Sequence, residues 1–178
     1  MELTVVGTSG AEGMLRYTRV MDTLIADLAQ YGFIISFVVA FLVWLRLPRQ
    51  QKLELLVAGV VGGIVCLALI KVGGALYYDA RPFVTSGVAP LFPHAADNGF
   101  PSDHTAVTMF VALCVLVVSR PWGLVLVAVS LAAGVARVLA HVHSPVDIVG
   151  AVAIAAVAAA VGWLVARWVF ARRRAAVS

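Results

Sequence analysis

Residues 53–78 of the chain are LELLVAGVVGGIVCLALIKVGGALYY, an apolar run in which Lys71 and several glycines are the main interruptions. A helix that crosses a lipid bilayer needs about 20 mostly apolar residues. This stretch is therefore long enough to span a membrane, and it places the chain among membrane proteins.

Four further apolar runs flank this stretch, at residues 31–47, 104–119, 122–140 and 146–170. Pro48 closes the first of them. The runs predict five membrane-spanning helices joined by short loops. No internal repeat and no low-complexity linker separates them, apart from the Ala- and Val-rich composition of the last run.

Ahead of these runs, apolar and acidic residues alternate with a helical period. The apolar members are Val20, Met21, Leu24, Ile25 and Leu28, with Asp22 and Asp27 between them. This pattern favours a helix that lies in the membrane interface. A sixth span at this position is the alternative.

Composition supports one fold class. The 178 residues are 62% hydrophobic and 12% charged, with a mean hydropathy of +1.01, whereas soluble domains are typically about 45–50% apolar. The prediction is an all-α membrane protein, a helical bundle that forms a single domain over residues 1–178. The length leaves no room for a separate soluble domain.

The net charge of +4 does not indicate a nucleic-acid partner, because the thirteen Lys and Arg residues form no stripe or basic arm. They are better explained as topology signals, since Lys and Arg are retained on the cytoplasmic side. Basic residues occupy alternate connections and the C-terminal segment: Arg46, Arg49, Lys52, Arg120 and residues 172–174. The loops at 79–103 and 141–144 are therefore expected outside the cell membrane.

Polar groups are concentrated in these outer loops and at their edges. They are Asp79, Arg81, His94, Asp97, Asp103, His104, Arg137, His141, His143 and Asp147. Ionisable residues at membrane depth are costly and indicate function. Arginine presents a fixed fork of donors to phosphate, and histidine titrates near neutral pH. An anionic substrate and proton transfer are therefore expected.

The segment FPSDH at residues 100–104 lies where the third span begins, so Ser102 is predicted to be its N-cap. Amides at a helix N-terminus with a nearby hydroxyl can bind an anion. A helix cap without a binding role explains the same residues equally well. Asp103 would repel a bound phosphate, so it must point away from it or hold a cation.

A second group consists of Arg137, His143 and Asp147, separated by five and three residues. A histidine oriented by a carboxylate can act as a nucleophile in phosphoryl transfer. Asp147 could also be only a helix cap in the segment SPVD at residues 144–147, and Arg137 only a cation at a helix C-terminus. No zinc-ligand spacing, Gly-rich phosphate loop or GxSxG motif is present, so no metal or other cofactor is expected.

Together these residues resemble the type 2 phosphatidic acid phosphatase superfamily. Its three motifs are lysine, six residues, arginine, proline; then PSGH; then SR, five residues, histidine, three residues, aspartate. They correspond to residues 81–82, 101–104 and 137–147 of this chain. Within the superfamily, YYDARPFV at 77–84 and FPHAAD at 92–97 are similar to the bacitracin-resistance type of undecaprenyl-diphosphatase.

The resemblance implies a bacterial plasma-membrane enzyme that acts on a polyprenyl diphosphate and recycles the lipid carrier of cell-wall synthesis. His143 would attack the terminal phosphorus to form a phosphohistidine, and Asp147 would hold its other ring nitrogen. His104 would protonate the leaving oxygen. Arg81, Ser102 and Arg137 would hold the phosphoryl oxygens. A phosphatase for phosphatidylglycerophosphate or phosphatidic acid is the alternative activity.

The chain departs from the superfamily pattern at three positions. Gly74 stands where the motif lysine is expected, and Lys71 lies one helical turn earlier. Lys71 could reach the phosphate site by extending its long side chain. Asp103 replaces the motif glycine. Ala136 replaces the motif serine, for which His94 or Tyr78 could substitute.

The missing motif lysine leaves a further alternative of another class, a lipid-phosphate binding protein or flippase without turnover. The sequence leaves the oligomeric state open.

Overall fold

The computed structural model describes residues 8–175, with side chains described for residues 12–172. The described part contains six α-helices: α1 (Thr8–Arg46), α2 (Arg49–Leu76), α3 (Pro82–Ser86), α4 (Asp103–Val118), α5 (Arg120–Leu139) and α6 (Pro145–Ala175). Between residues 8 and 175 the only β-pairing is an isolated bridge between Ala80 and Asn98. The prediction of an all-α fold is confirmed.

The five apolar runs all form helices. Helices α1, α2, α5 and α6 are long and apolar enough to cross a membrane. Helix α4 is apolar but has 16 residues, a length of about 24 Å at 1.5 Å per residue. The short helix α3, within the outer loop, has no counterpart among the predicted elements.

The N-terminal interfacial helix is not a separate element, so that part of the prediction is wrong. Residues 20–28 belong to α1, which runs without interruption for 39 residues and is about 58 Å long, well beyond the ~30 Å hydrocarbon core. Asp22 and Asp27 are exposed, whereas Ala26 and Ala29 are buried. The acidic residues therefore lie on the exposed face of α1, and the opposite face packs against the bundle.

Helix α4 occupies the middle of the bundle and packs against α1, α2, α5 and α6. Its apolar side chains point in all directions, as expected for a helix with neighbours on every side. A hydrogen bond of 2.8 Å between the hydroxyls of Thr108 and Ser130 joins α4 to α5.

Helices α2 and α6 approach each other closely through small residues. A Cβ atom on Gly162 would lie 2.3 Å from the carbonyl oxygen of Ala58, and one on Gly62 would lie 2.7 Å from that of Ala158. Small residues at such crossings allow helix backbones to come together in a membrane. This crossing fixes the two helices whose outer ends frame the site.

An apolar groove of about 450 Å³ lies on another side of the bundle, lined by α1, α2 and α4. Its residues include Phe37, Phe41 and Trp44 of α1, Leu56 and Val60 of α2, and Phe110 and Val111 of α4. The surface of the groove is almost entirely apolar.

At one end of the bundle, backbone hydrogen bonds join the loop at residues 79–103 to the connection between α5 and α6. These two connections are predicted to lie outside the membrane and are called the outer loops. The amide of Phe83 donates to the carbonyl of His141 at 3.1 Å, and that of Leu91 to Ala140 at 3.3 Å. The basic residues used to orient the chain lie toward the opposite end; the side chains of residues 173 and 174 lie outside the described part. The fold thus collects the polar outer residues at one end.

Candidate active site

His143 lies in the connection between α5 and α6 and is 2% exposed. Its Nδ1 is 3.1 Å from Oδ2 of Asp147. Its Nε2 is 3.3 Å from NH1 of Arg81 and 3.3 Å from NH2 of Arg137. Guanidinium groups can only donate hydrogen bonds, so Nε2 must accept and Nδ1 must carry the proton. The arrangement therefore leaves a lone pair on Nε2, directed between two cations.

The local backbone explains how His143 reaches this position. Helix α5 ends at Leu139, and His141 adopts a left-handed conformation with φ of 62°. The amides of Val142 and His143 then donate back to the carbonyl of Arg137 at 3.2 and 3.3 Å. The chain turns tightly, and His143 is held beside Arg137 in the last turn of α5.

Asp147 combines two roles that the sequence left as alternatives. The amide of Ser144 donates to Oδ2 of Asp147 at 2.8 Å, and the amide of Asp147 donates to the Ser144 hydroxyl at 3.4 Å. This reciprocal pair is a capping box at the start of α6. The same Oδ2 also accepts from His143, so the cap fixes the carboxylate that holds the imidazole.

Arg81 is buried and uses each of its nitrogens. Nε donates to Oδ1 of Asp97 at 2.7 Å, NH1 donates to the carbonyl of Val142 at 2.7 Å, and NH2 donates to the carbonyl of Asn98 at 3.3 Å. These bonds tie the guanidinium to both outer loops. The position of NH1 beside His143 is therefore well determined.

Arg137 is also buried, at the last turn of α5. Its NH1 donates to the carbonyl of Ala29 in α1 at 2.9 Å, and its NH2 lies 3.3 Å from both His94 Nε2 and His143 Nε2. Its Nε has no hydrogen-bond partner within the described part of the chain. This guanidinium therefore keeps a free donor in the interior.

A cavity of about 400 Å³ opens beside His143. Its lining brings together most of the residues predicted to form the site, which are Lys71, Arg81, His94, Asp103, His104, Arg137 and His143. Ile70, Gly74, Asp97, Asn98, Phe100 and Pro101 complete it. Ser102 and Asp147 are not among the lining residues.

Ser102 occupies the N-cap position of α4, as predicted, but its side chain makes no capping hydrogen bond. Its hydroxyl instead donates to Oγ1 of Thr105 at 3.1 Å, and the residue is fully buried. A role for this hydroxyl in holding phosphate stays a prediction. It would require the hydroxyl to turn from Thr105 toward the cavity.

His104 and Asp103 are exposed at the mouth of the cavity, on the first turn of α4. The His104 ring contacts the Phe33 ring of α1 edge-on, with centroids 5.6 Å apart. His104 is therefore a side chain near His143 that solvent can reach.

Lys71 and Gly74 both line the cavity, and Gly74, the position of the motif lysine, is also packed against the outer loop. The Gly74 carbonyl accepts from the side-chain amide of Asn98 at 2.8 Å. A Cβ atom at Gly74 would lie 3.1 Å from the carbonyl oxygen of Phe100. The loop therefore occupies the space beside Gly74, and Lys71, one helical turn earlier on α2, is the lysine that lines the cavity.

His94 is the better placed of the two suggested substitutes for the missing serine. Its Nε2 lies beside Arg137, and its ring centroid is 6.1 Å from that of His143. Partial burial, with the nearby charge of Arg81, lowers the pKa of His94. Tyr78 is exposed and does not line the cavity.

Electrostatics favour a neutral His143. Burial lowers the pKa of His143, the hydrogen bond to Asp147 opposes this, and the charges of Arg137 and Arg81 lower it further. The hydrogen bond from Arg81 lowers the pKa of Asp97, so that carboxylate stays ionised. At neutral pH the site therefore holds an unprotonated Nε2.

Three polar residues of the outer loop were given no individual role from the sequence. Asp97, whose side chain is 64% exposed, pairs with the buried Arg81. Asn98 bridges α2 and the loop through its amide, and Asp79 accepts a hydrogen bond from the Ser144 hydroxyl. The sequence gave a signal for Asp97, in the stretch FPHAAD, and for Asp79, in the stretch YYDARPFV, but none for Asn98.

No group of three or more His, Cys, Asp or Glu side chains within the described residues is arranged to hold a metal ion.

Known proteins share both the sequence and the fold. Residues 51–174 match the PAP2 superfamily. Undecaprenyl-diphosphatase BcrC of Bacillus subtilis (strain 168) is 32% identical over 145 residues, 80% of this chain and 74% of that protein. The bacitracin transport permease protein BcrC of Bacillus licheniformis is 28% identical over 129 residues, 72% of this chain and 63% of that protein.

The crystal structure of Aquifex aeolicus LpxE has the same fold, with a TM-score of 0.59 at 20% identity. The likeness covers 80% of this chain and 85% of that one. His143, Asp147, His104, Arg81 and Arg137 all lie within the part of the chain that matches the family. The chain belongs to the PAP2 superfamily.

Proposed function

We propose that this membrane lipid phosphatase hydrolyses undecaprenyl diphosphate to undecaprenyl monophosphate and phosphate. The observation that carries the proposal is the environment of His143. Its Nδ1 is held by Asp147, and its Nε2 lone pair lies between the guanidinium groups of Arg81 and Arg137. An electrophile that approached this lone pair would meet two cations, as a phosphoryl group requires.

In the first step, Nε2 of His143 attacks the terminal phosphorus and a P–N bond forms. The bond from that phosphorus to the bridging oxygen breaks, and undecaprenyl monophosphate leaves. Asp147 stabilises the positive charge that develops on the imidazole, because its carboxylate accepts from Nδ1. His104, which borders the cavity, donates a proton to the leaving oxygen.

In the second step, water attacks the phosphohistidine. His104, now neutral, takes a proton from the water as its oxygen attacks phosphorus, and the P–N bond breaks. Inorganic phosphate leaves and the lone pair returns to Nε2 of His143. The exposure of His104 supports this role, because the base of the second step must meet a solvent molecule.

Arg81 and Arg137 are proposed to hold the transferred phosphoryl group. In Arg137, Nε lacks a partner among the described residues, so this side chain retains capacity for a ligand. Lys71 and His94, at the cavity wall, would add donors. They compensate for the absence of the motif lysine at Gly74 and of the motif serine at Ala136.

The lipid tail is proposed to lie in the apolar groove between α1 and α2. Phe33 contacts His104, and Phe37, one helical turn further along α1, lines the groove. The same face of α1 therefore leads from the phosphate cavity to the groove. An apolar chain buried there gains about 25 cal/mol for each Å² removed from water.

We further propose that the site faces the outside of a bacterial cell membrane. The basic residues Arg46, Arg49 and Arg120 lie at the helix ends opposite the cavity, as the retention of positive charge on the cytoplasmic side predicts. Undecaprenyl monophosphate would then form on the outside, and the reaction would serve the recycling of the carrier for cell-wall synthesis.

The choice of a diphosphate over phosphatidic acid or phosphatidylglycerophosphate is supported by the Bacillus subtilis relative, which is named as an undecaprenyl-diphosphatase. The test is phosphate release by purified protein in detergent. Undecaprenyl diphosphate should give the highest kcat/KM of the three lipids, and His143→Ala should lower kcat by more than about 1,000-fold. Preference for either phospholipid would contradict the proposed substrate.

The name of the Bacillus licheniformis relative, a transport permease, favours a second candidate function, movement of a lipid phosphate or bacitracin without hydrolysis. Purified protein in sealed vesicles separates the two. Stoichiometric phosphate release with each lipid consumed supports the phosphatase. Redistribution of intact lipid across the bilayer without phosphate release would support the transporter.

A further inference from the structure

Asp79 lies between α2 and α3 with both backbone polar groups fixed. Its amide donates to Oδ1 of Asn98 at 2.9 Å, and its carbonyl accepts from the amide of Gly99 at 2.8 Å. The residue does not line the cavity. Its carboxylate is therefore held at a set place beside the site but away from the space that a substrate would occupy.

Asn98 strengthens this fixation by using the full hydrogen-bonding capacity of its side chain. Its Oδ1 accepts from the amides of Asp79 and Phe100, and its Nδ2 donates to the carbonyls of Gly74 and Tyr77 at 2.8 and 2.9 Å. The segment around Asp79 is thus tied to the outer end of α2. It cannot shift without loss of several of these hydrogen bonds.

The side chain of Asp79 reaches across to the start of α6. Its Oδ2 accepts a hydrogen bond from the hydroxyl of Ser144. A hydroxyl has one proton to donate, so this bond turns the lone pairs of the Ser144 oxygen toward the amide of Asp147, 3.4 Å away. Asp79 therefore sets the direction of the capping hydroxyl.

The residues of the capping box are hydrogen-bonded to His143, the proposed nucleophile. Ser144 and Asp147 are joined by the reciprocal bonds of the capping box, and Oδ2 of Asp147 accepts from Nδ1 of His143. This carboxylate has little free space around it, because a Cβ atom on Gly99 would lie 2.8 Å from the same Oδ2. Any rotation of the first turn of α6 would move the partner of His143.

We propose that Asp79 is a positioning residue for His143, acting through the Ser144 hydroxyl and the Asp147 carboxylate. The proposal rests on the function proposed for His143 as the nucleophile. In the absence of the Asp79 carboxylate, the Ser144 hydroxyl is free to rotate, and Asp147 loses part of its support. The bond from Nδ1 of His143 to Asp147 then weakens.

The experiment measures phosphate release from undecaprenyl diphosphate by the purified full chain and five variants. Asp79→Ala and Ser144→Ala should each lower kcat by about tenfold or more, because small displacements of a reacting group cost up to about 100-fold. KM should change by less than about twofold. Asp79→Asn should keep most of the wild-type kcat, because its amide oxygen can still accept the Ser144 proton.

The double variant Asp79→Ala/Ser144→Ala tests the route of the effect. If Asp79 acts through Ser144, the two losses are not additive, and the double variant is no slower than the more damaged single variant. The pH profile gives a second readout. Weakening of the bond to Asp147 removes a contribution that raises the pKa of His143, so the acid limb of kcat/KM should move to lower pH.

Asp22→Asn is the matched control, because it removes an exposed carboxylate from the N-terminal half of α1, away from the cavity. It should retain the wild-type kcat and pH profile. Wild-type kcat in Asp79→Ala, or additive losses in the double variant, overturns the positioning role. An inactive wild-type protein would overturn the proposed function instead.

If Asp79→Ala does not fold, the other variants decide. The positioning role is supported if Asp79→Asn keeps a near-wild-type kcat while Ser144→Ala has a reduced kcat and an acid limb at lower pH. A fully active Ser144→Ala, or an Asp79→Asn as slow as Ser144→Ala, overturns it.

Discussion

The chemistry of the site depends on which nitrogen of His143 carries the proton. Two guanidinium groups approach Nε2 and a carboxylate approaches Nδ1. Only the neutral tautomer with its proton on Nδ1 is compatible with these partners. The same residue lies in a buried place that favours the neutral ring. As the proposed nucleophile, His143 would need no base to remove a proton from the attacking atom.

The electrostatics of His143 give the first prediction, for the pH dependence of kcat/KM in the free enzyme. Burial lowers the pKa of His143, so the neutral ring persists below the ordinary imidazole value of about 6.5. Activity should rise with pH through an acid limb that lies below 6.5. An acid limb above 6.5 that depends on His143 would contradict this environment.

Asp147→Asn tests the charge of the carboxylate at the same site. The amide oxygen can still accept from Nδ1, but the negative charge is lost. We expect kcat to fall by about 100-fold, while the acid limb moves to still lower pH, because the bond to Asp147 raises the pKa of His143. An unchanged acid limb with reduced kcat would indicate that Asp147 acts only as the cap of α6.

At the scale of elements, the site depends on how closely the helices that carry it approach each other. Gly162 of α6 has no room for a side chain, because it lies against Ala58 of α2. Gly59, the next residue of α2, has open space around it. The two glycines therefore form a matched pair with opposite expectations.

Gly162→Ala should lower the thermal stability of the detergent-purified protein. Its Cβ would meet the Ala58 carbonyl oxygen at 2.3 Å, and overpacking costs about 1–3 kcal/mol. Gly59→Ala should keep or raise the Tm, since alanine is the better helix former. Equal Tm values for Gly162→Ala and the wild type would contradict the close packing of α2 and α6.

The elements also show what a sequence can predict. The residues of the three motifs could be recognised as candidates because residue type and spacing carry their chemistry: His143 and Asp147 are four residues apart, on either side of the start of α6. Their catalytic roles stay predictions. The proposed role of Asp79 could not be recognised, because its partner Ser144 is 65 residues away and the loop path alone brings them together. The continuity of α1 was missed because acidic residues on an exposed face resemble those of an interfacial helix.

At the scale of the whole molecule, the orientation in the membrane remains a prediction from the distribution of charge. Thr85 lies exposed in α3, and Gln51 lies exposed near the start of α2 at the opposite end of the bundle. The two natural cysteines are buried, so an introduced cysteine should dominate labelling in intact cells.

Thr85→Cys should react with a membrane-impermeant thiol reagent in intact cells. Gln51→Cys, the matched control, should react only after the membrane is permeabilised. The reverse pattern would place the phosphate cavity on the cytoplasmic side, and the proposed contribution to carrier recycling would then have to be abandoned.

The central claim is that His143 is phosphorylated during turnover, and rapid-quench trapping tests it most directly. Wild-type protein is mixed with undecaprenyl diphosphate labelled at the terminal phosphorus and quenched in alkali, which preserves phosphohistidine. We predict acid-labile label on the peptide that contains His143, and none in His143→Ala. Phosphate release by wild-type protein without label on this peptide, or wild-type activity in His143→Ala, would contradict the account.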